Sequence, residues 1–177
     1  VIWLPYEYSL KLFPKLVESL EISKEFDQSI YRTVLYPIVE NKEYYDEIKK
    51  HTKTLQFEPL MTIYFNEGLT LEELKKIKAS SKIIGIKLYP KGATTNSNDG
   101  IDSFESGYKI FEMMEELDIP LLIHGEVNDK NVDIFDRERI FIEKHLSRAH
   151  KEFPNLKIVL EHISTKDSTE FVKDSSN

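Results

Sequence analysis

Short apolar runs alternate along this chain with longer stretches of helical period. Five runs read as strands: Arg32–Tyr36, Leu60–Phe65, Ile83–Tyr89, Pro120–His124 and Lys157–Glu161. None alternates strictly between apolar and polar, as expected of strands covered on both faces of a parallel sheet. Between them, apolar positions recur every three or four residues, the helical period. Thr70-Leu-Glu-Glu-Leu-Lys-Lys-Ile places a threonine three residues before Glu73, the capping-box signature of a helix start. Ser103–Leu117 carries Tyr108, Phe111, Met114 and Leu117 on one stripe, and Phe135–Phe153 turns Ile140, Ile142 and Leu146 inward. Phe13–Leu20 and Tyr44–Lys53 carry the period more weakly. Strands and helices in this alternation predict an α/β fold with parallel strands and outer helices.

Three strand ends carry polar side chains that such a sheet would bring to one edge. Ile83-Ile84-Gly85-Ile86 runs into Lys87, Leu121-Leu122-Ile123 into His124, and Ile158-Val159-Leu160-Glu161 into His162. The intervals are near-equal, each about one βα unit of a barrel of ~250 residues in eight units. Imidazoles so placed are natural zinc ligands. A lysine there becomes an anionic ligand if carbon dioxide converts its amine to a carbamate. Singly, each residue reads more readily as a solvated strand end; together and in register, they read as a site. The strongest strand is followed by the polar loop Pro90–Asp99, at the end of the sheet where parallel α/β proteins bind ligands.

Composition narrows the picture. The chain has 177 residues, the span of one domain, with 40% hydrophobic residues, 10 Phe and 9 Tyr to build a core. A net charge of −7 with dispersed lysines leaves no electrostatic footprint for nucleic acid. The aromatic residues lack basic interleaving and read as core. The absence of cysteine removes disulfides, thiolate metal sites and thiol nucleophiles. No apolar run approaches the ~20 residues of a membrane span, and no secretion signal is evident, so a cytoplasmic location is expected. The chain opens on Val1 rather than Met and closes on Asp174-Ser175-Ser176-Asn177, as a trimmed chain or a piece of something larger would.

The wording of the motifs resembles one family. Phe57-Glu-Pro-Leu-Met-Thr, Gly85-Ile-Lys-Leu-Tyr-Pro, Ala93-Thr-Thr-Asn-Ser, Pro120-Leu-Leu-Ile-His-Gly-Glu, Phe135-Asp-Arg-Glu and Glu161-His-Ile-Ser-Thr-Lys-Asp are similar to the bacterial class II dihydroorotases, zinc-dependent members of the amidohydrolase superfamily. The resemblance runs from about Phe57 to Asp174. It implies a partial TIM (β/α) barrel: one incomplete domain over 1–177, with the second half of the barrel absent. It implies that Lys87 is N-carboxylated and bridges two zinc ions, that His124 and His162 ligate the second metal, and that Thr94 and Thr95 lie on a mobile loop closing over the substrate. The implied reaction is the reversible cyclisation of N-carbamoyl-aspartate to dihydroorotate in pyrimidine synthesis. The partner is thus a small molecule, with no nucleic acid and no membrane, and an open barrel half would be covered by a second copy or a complementing chain.

Departures from the family pattern fall near the start. The family's His-x-His pair and its substrate-binding arginine correspond most nearly to Ser9-Leu10-Lys11-Leu12-Phe13, and the asparagine expected after Pro37 is Ile38. No residue here matches the family's general-base aspartate, so no catalytic residue is assigned. At most one weakly held zinc and impaired activity are therefore expected of this chain. The alternative is a catalytically inactive homologue acting as a binding or assembly partner. The Ala93-Thr-Thr-Asn loop favours the dihydroorotase pattern over hydantoinase-like relatives. Glu126 reads as a carboxylate orienting a ligand or as a loop anion, Tyr89 as a neighbour of Lys87, Lys166-Asp167 as structural, and His51, His145 and His150 as solvated.

Overall fold

The structure is a computed structural model that describes residues 45–51, 58–94 and 97–175. The predicted strand at Arg32–Tyr36, the helix at Phe13–Leu20, and Ser9, Lys11 and Phe13 lie outside the described residues. The chain forms two compact units, residues 1–61 and 62–177. In the first, helix α1 (residues 45–51) is tied to Glu58, whose carboxylate accepts from the Tyr45 hydroxyl at 2.5 Å and from Lys49 Nζ at 3.0 Å.

The sheet carries strands β1 (Met61–Tyr64), β2 (Ile83–Leu88), β3 (Leu121–Ile123) and β4 (Ile158–Leu160), side by side in that order. β2 and β3 run parallel, as do β3 and β4, with Lys87 opposite Leu122 and Leu122 opposite Val159. Gly85 through Leu88 are consecutively buried, the pattern of a strand covered on both faces. β4 departs from that expectation: Val159 is 45% exposed, because β4 is the outermost strand of the described sheet and only β3 flanks it.

Helices α2 (Leu71–Ala79) and α3 (Tyr108–Glu116) follow β1 and β2. The capping box of α2 forms as the sequence predicts: Thr70 Oγ1 accepts from the Glu73 amide at 3.3 Å and Glu73 Oε2 accepts from the Thr70 amide at 2.8 Å. A 3₁₀ turn at Phe104–Gly107 leads into α3. The stretch predicted as one helix over Phe135–Phe153 is compound: a 3₁₀ turn at Ile134–Asp136, helix α4 (Arg137–Phe141), a π-helical segment at Ile142–Leu146 and helix α5 (Ser147–Glu152). Phe104 anchors the aromatic core, with ring centroids 5.2 Å from Phe111 and 5.3 Å from Phe141. A last helix, α6 (Lys166–Asp174), lies where the sequence pattern predicts none. Its sequence, Lys166-Asp-Ser-Thr-Glu-Phe-Val-Lys-Asp, has only Phe171 and Val172 to mark an apolar stripe. Among the described residues, no helix is long and apolar enough to cross a membrane.

Candidate metal centre

Parallel pairing brings the ends of β2, β3 and β4 to one edge of the sheet. The Phe65 amide donates to the Lys87 carbonyl at 2.7 Å, the His124 amide to Leu88 at 3.0 Å and the Glu161 amide to Ile123 at 3.1 Å. Lys87, opposite Leu122, and His124, directly after β3, thereby come to the same edge of the sheet, and both are buried.

His124 Nδ1 stands 3.1 Å from His162 Nε2, with ring centroids 4.7 Å apart. The other nitrogen of His124, Nε2, is buried and faces Glu126 Oε2 at 3.4 Å. Contact with His124 holds the Glu126 carboxyl below its usual range against the opposing effect of burial. Nε2 makes no hydrogen bond at that separation, but a carboxylate beside it favours the proton on Nε2 and so the lone pair on Nδ1, toward His162. His162, unlike the buried Lys87 and His124, is an exposed residue with its ring partly desolvated against its neighbours, and its backbone is left-handed, with φ 42°. Burial of its ring, then the nearby His124 and Lys87, lower its pKa, which favours the neutral imidazole that a metal requires.

Lys87 Nζ forms a buried ion pair with Glu161 and lies 4.7 Å from the centroid of the Tyr89 ring. Burial lowers the Lys87 pKa, while Glu161 offsets part of that change. Tyr89 in turn stacks on Tyr64 at 5.4 Å and lies 5.9 Å from His124. The Tyr64 hydroxyl is buried, and desolvation together with the charge of Asp99 pushes its pKa up to about 12. The predicted trio therefore lines one edge of the sheet, floored by aromatic rings.

The donor set fits a divalent cation. Two nitrogens at ~2.0–2.1 Å from a tetrahedral zinc stand about 3.3 Å apart, close to the separation of the two imidazoles. Among the described residues, no group of three His, Asp or Glu side chains is arranged to hold a metal by itself. Lys87 is the remaining donor of the predicted set.

The loop after β2 is pinched at its base. Pro90 and Ile101 form an isolated parallel bridge, with Lys91 donating to the Ile101 carbonyl at 3.0 Å and Ile101 to Tyr89 at 3.1 Å. Ser97, fully buried, donates from its hydroxyl to the Thr94 carbonyl at 2.6 Å and accepts from the Thr94 amide at 3.0 Å. Thr94 is exposed, and Thr95 lies outside the described residues.

Two acidic residues emerge that the sequence reading left without a role. Glu161 supplies the counter-charge to Lys87, and Glu138 anchors the segment after β4. The signal for Glu138 was available: it falls on the same buried stripe as Phe141, Ile142, Leu146 and Ala149, where a charge needs a partner. The expectation that His51 and His145 are solvated is corrected. Both are half-buried and engaged, His51 Nε2 with Glu47 at 2.8 Å and His145 Nδ1 with Glu105 at 3.1 Å; His150, also expected to be solvated, is half-buried too, its ring centroid 6.1 Å from that of Phe171. His145 also lines a cavity of about 520 Å³ with Phe104, Val127 and Phe141.

A family model described as amidohydrolase matches residues 37–171. The chain belongs to the amidohydrolase family. Curated dihydroorotases of Shewanella sp. (strain ANA-3) and Shewanella oneidensis are 46% identical over 162 residues, covering 89% of this chain and 47% of each relative. The chain thus spans about half the length of the curated relatives it matches. The crystal structure of dihydroorotase from Campylobacter jejuni superposes with a TM-score of 0.71 at 44% identity, over 78% of this chain and 40% of that one. Dihydroorotase of Saccharomyces cerevisiae in complex with 5-fluoroorotic acid gives 0.67 at 32% identity, over 78% and 39%. With these likenesses, the four-stranded βα sheet of this amidohydrolase is an arc of a TIM barrel.

Proposed function

We propose that this chain carries part of a dihydroorotase-type site, in which Lys87, His124 and His162 hold zinc and Thr94 and Thr95 contact a small cyclic-amide substrate. The observation that carries this reading is the His124–His162 pair, 3.1 Å apart at the ends of adjacent parallel strands, beside buried Lys87. The resemblance to dihydroorotases, one of them bound to an orotate analogue, selects dihydroorotate and N-carbamoyl-aspartate as the substrate pair.

His124 presents Nδ1, with Glu126 beside Nε2 to favour the proton there, and His162 presents Nε2. Lys87 becomes an anionic ligand when its ammonium gives a proton to Glu161 and parts from it, and the neutral amine then bonds to the carbon of carbon dioxide, releasing its second proton to water. A bound divalent cation supplies Lewis acidity at the amide carbonyl and lowers the pKa of a bound water. The Tyr64–Tyr89 floor keeps water away from the Lys87 side, and Thr94 and Thr95 supply hydroxyls to the substrate if the polar loop after β2 closes over it.

Metal analysis of the purified chain, with a dihydroorotate hydrolysis assay alongside, tests the reading. Zinc retained by the wild type and lost in His124→Ala and His162→Ala supports it. The mass of one carbon dioxide on Lys87 in the loaded protein supports the lysine's role. Zinc bound without turnover identifies the inactive homologue, whereas failure of the wild type to bind zinc refutes the site.

A further inference from the structure

Glu138 belongs to α4, yet its carboxylate is spent on the segment that follows His162. Oε1 accepts from the Ser164 amide at 2.9 Å and from its hydroxyl at 2.7 Å; Oε2 accepts from the Thr165 amide at 3.1 Å, from its hydroxyl at 2.6 Å, and from the Ser168 hydroxyl. Every acceptor direction of the carboxylate is used, and the side chain is buried. Ordinary helix capping does not account for this. Thr165 already caps α6, accepting from the Ser168 amide at 3.3 Å, and the amides Glu138 holds precede the first turn of that helix. They belong to the connection between β4 and α6.

One residue, Ile163, separates His162 from the clamped Ser164. Consecutive Cα atoms are ~3.8 Å apart, so the clamp acts within about 8 Å of the His162 Cα. On the other side of His162, Glu161 is fixed by its ion pair to Lys87 and by its amide bond to Ile123. His162 itself adopts φ 42°, a left-handed conformation that a β-carbon disfavours and that persists only where the surroundings impose it. We propose that Glu138 is the positioning residue for His162, its carboxylate fixing the left-handed turn that brings the imidazole to His124. For its consequence on zinc, this rests on the reading of His124 and His162 as metal ligands; for the geometry, it does not.

The test uses the whole 177-residue chain, metal-free and then titrated with zinc. In Glu138→Gln, the amide group cannot accept from all these donors. The Ser164 and Thr165 amides should lose exchange protection, the His162 ring resonances should shift, and the ring-to-ring contact with His124 should weaken. Zinc affinity should fall ~10–100-fold, the usual effect of removing a group that orients a ligand. Leu74→Ala, a core truncation in α2, is the control for general destabilisation and should leave the histidine resonances and zinc affinity unchanged. If Glu138→Gln does not fold, Ser168→Ala removes a single donor and should shift the His162 ring in the same direction, by less. Unshifted His162 resonances with wild-type zinc affinity overturn the proposal. Shifted resonances in a chain whose wild type binds no zinc uphold the positioning role and refute the metal site instead.

Discussion

Acid should weaken this protein through Glu138 in a specific pH window. Burial opposes ionisation of this carboxyl, but the hydroxyls of Ser168, Thr165 and Ser164 and the Ser164 amide outweigh burial and hold its pKa at about 2, against an ordinary 4.5. A carboxyl whose pKa is depressed by folding contributes stability above its unfolded value and loses it as pH falls through the folded one. The contribution is therefore complete above pH 4.5 and disappears toward pH 2. At 1.36 kcal/mol per pKa unit, the depression corresponds to about 3 kcal/mol. Within the window, stability should change by up to about 1.4 kcal/mol per pH unit from this group alone. Urea unfolding at a series of pH values, on wild type and Glu138→Gln, isolates it. The variant lacks the titrating group, so its stability profile should be flatter than the wild type's between those limits, and the gap between the two should close as pH falls. Parallel profiles would show that Glu138 is not the depressed carboxyl that the structure describes.

Further substitutions probe the frame around the site. In Lys87→Met, Glu161 is left buried without its counter-charge, which should cost about 3–5 kcal/mol in urea unfolding, while Lys87→Met with Glu161→Leu should recover most of that. A double variant as weak as the single one would disprove the pairing. A Cβ at Gly85 would fall 2.5 Å from Leu122 Cδ1 and 2.7 Å from the Pro120 carbonyl oxygen, so Gly85→Ala should destabilise by about 1–3 kcal/mol by prising β2 from β3. Thr70→Ala removes the α2 cap and should cost about 1 kcal/mol by thermal or urea unfolding, with Thr70→Ser close to wild type.

The sheet was legible because its signal is local. Ile83–Leu88, Leu121–Ile123 and Ile158–Leu160 are short apolar runs, with Lys87 next to the end of the first, His124 directly after the second and Glu161-His162 directly after the third. The α2 start was legible for the same reason, since Thr70 and Glu73 satisfy each other within one turn. What escaped the sequence depends on partners distant along the chain. Glu161 could be read as a strand-end anion, but only the β2–β3–β4 pairing shows that it meets Lys87. Glu138 lay within a recognisable motif, yet its role needs α4 and the Ser164–Ser168 segment in contact. Helix α6 escaped because it carries only two apolar residues, Phe171 and Val172, neither of them buried, and the exposure of β4 because apolar residues such as Val159 carry no mark of lying at an edge.

The π-helical segment between α4 and α5 gives this helix an unusual tolerance to changes in length. A π turn accommodates one residue more than the α turn it replaces. Deleting exposed Glu143 or Lys144 would let the segment close into regular α-helix while Ala149 and Phe153 keep their buried places. The same deletion inside α4 has no such outlet. It would rotate Glu138 by about 100° relative to Phe141, Ile142 and Leu146, turning its carboxylate away from the Ser164 amide. Among related sequences, a missing residue in this helix is thus expected at 142–146, with the spacing from Asp136 to Phe141 held constant.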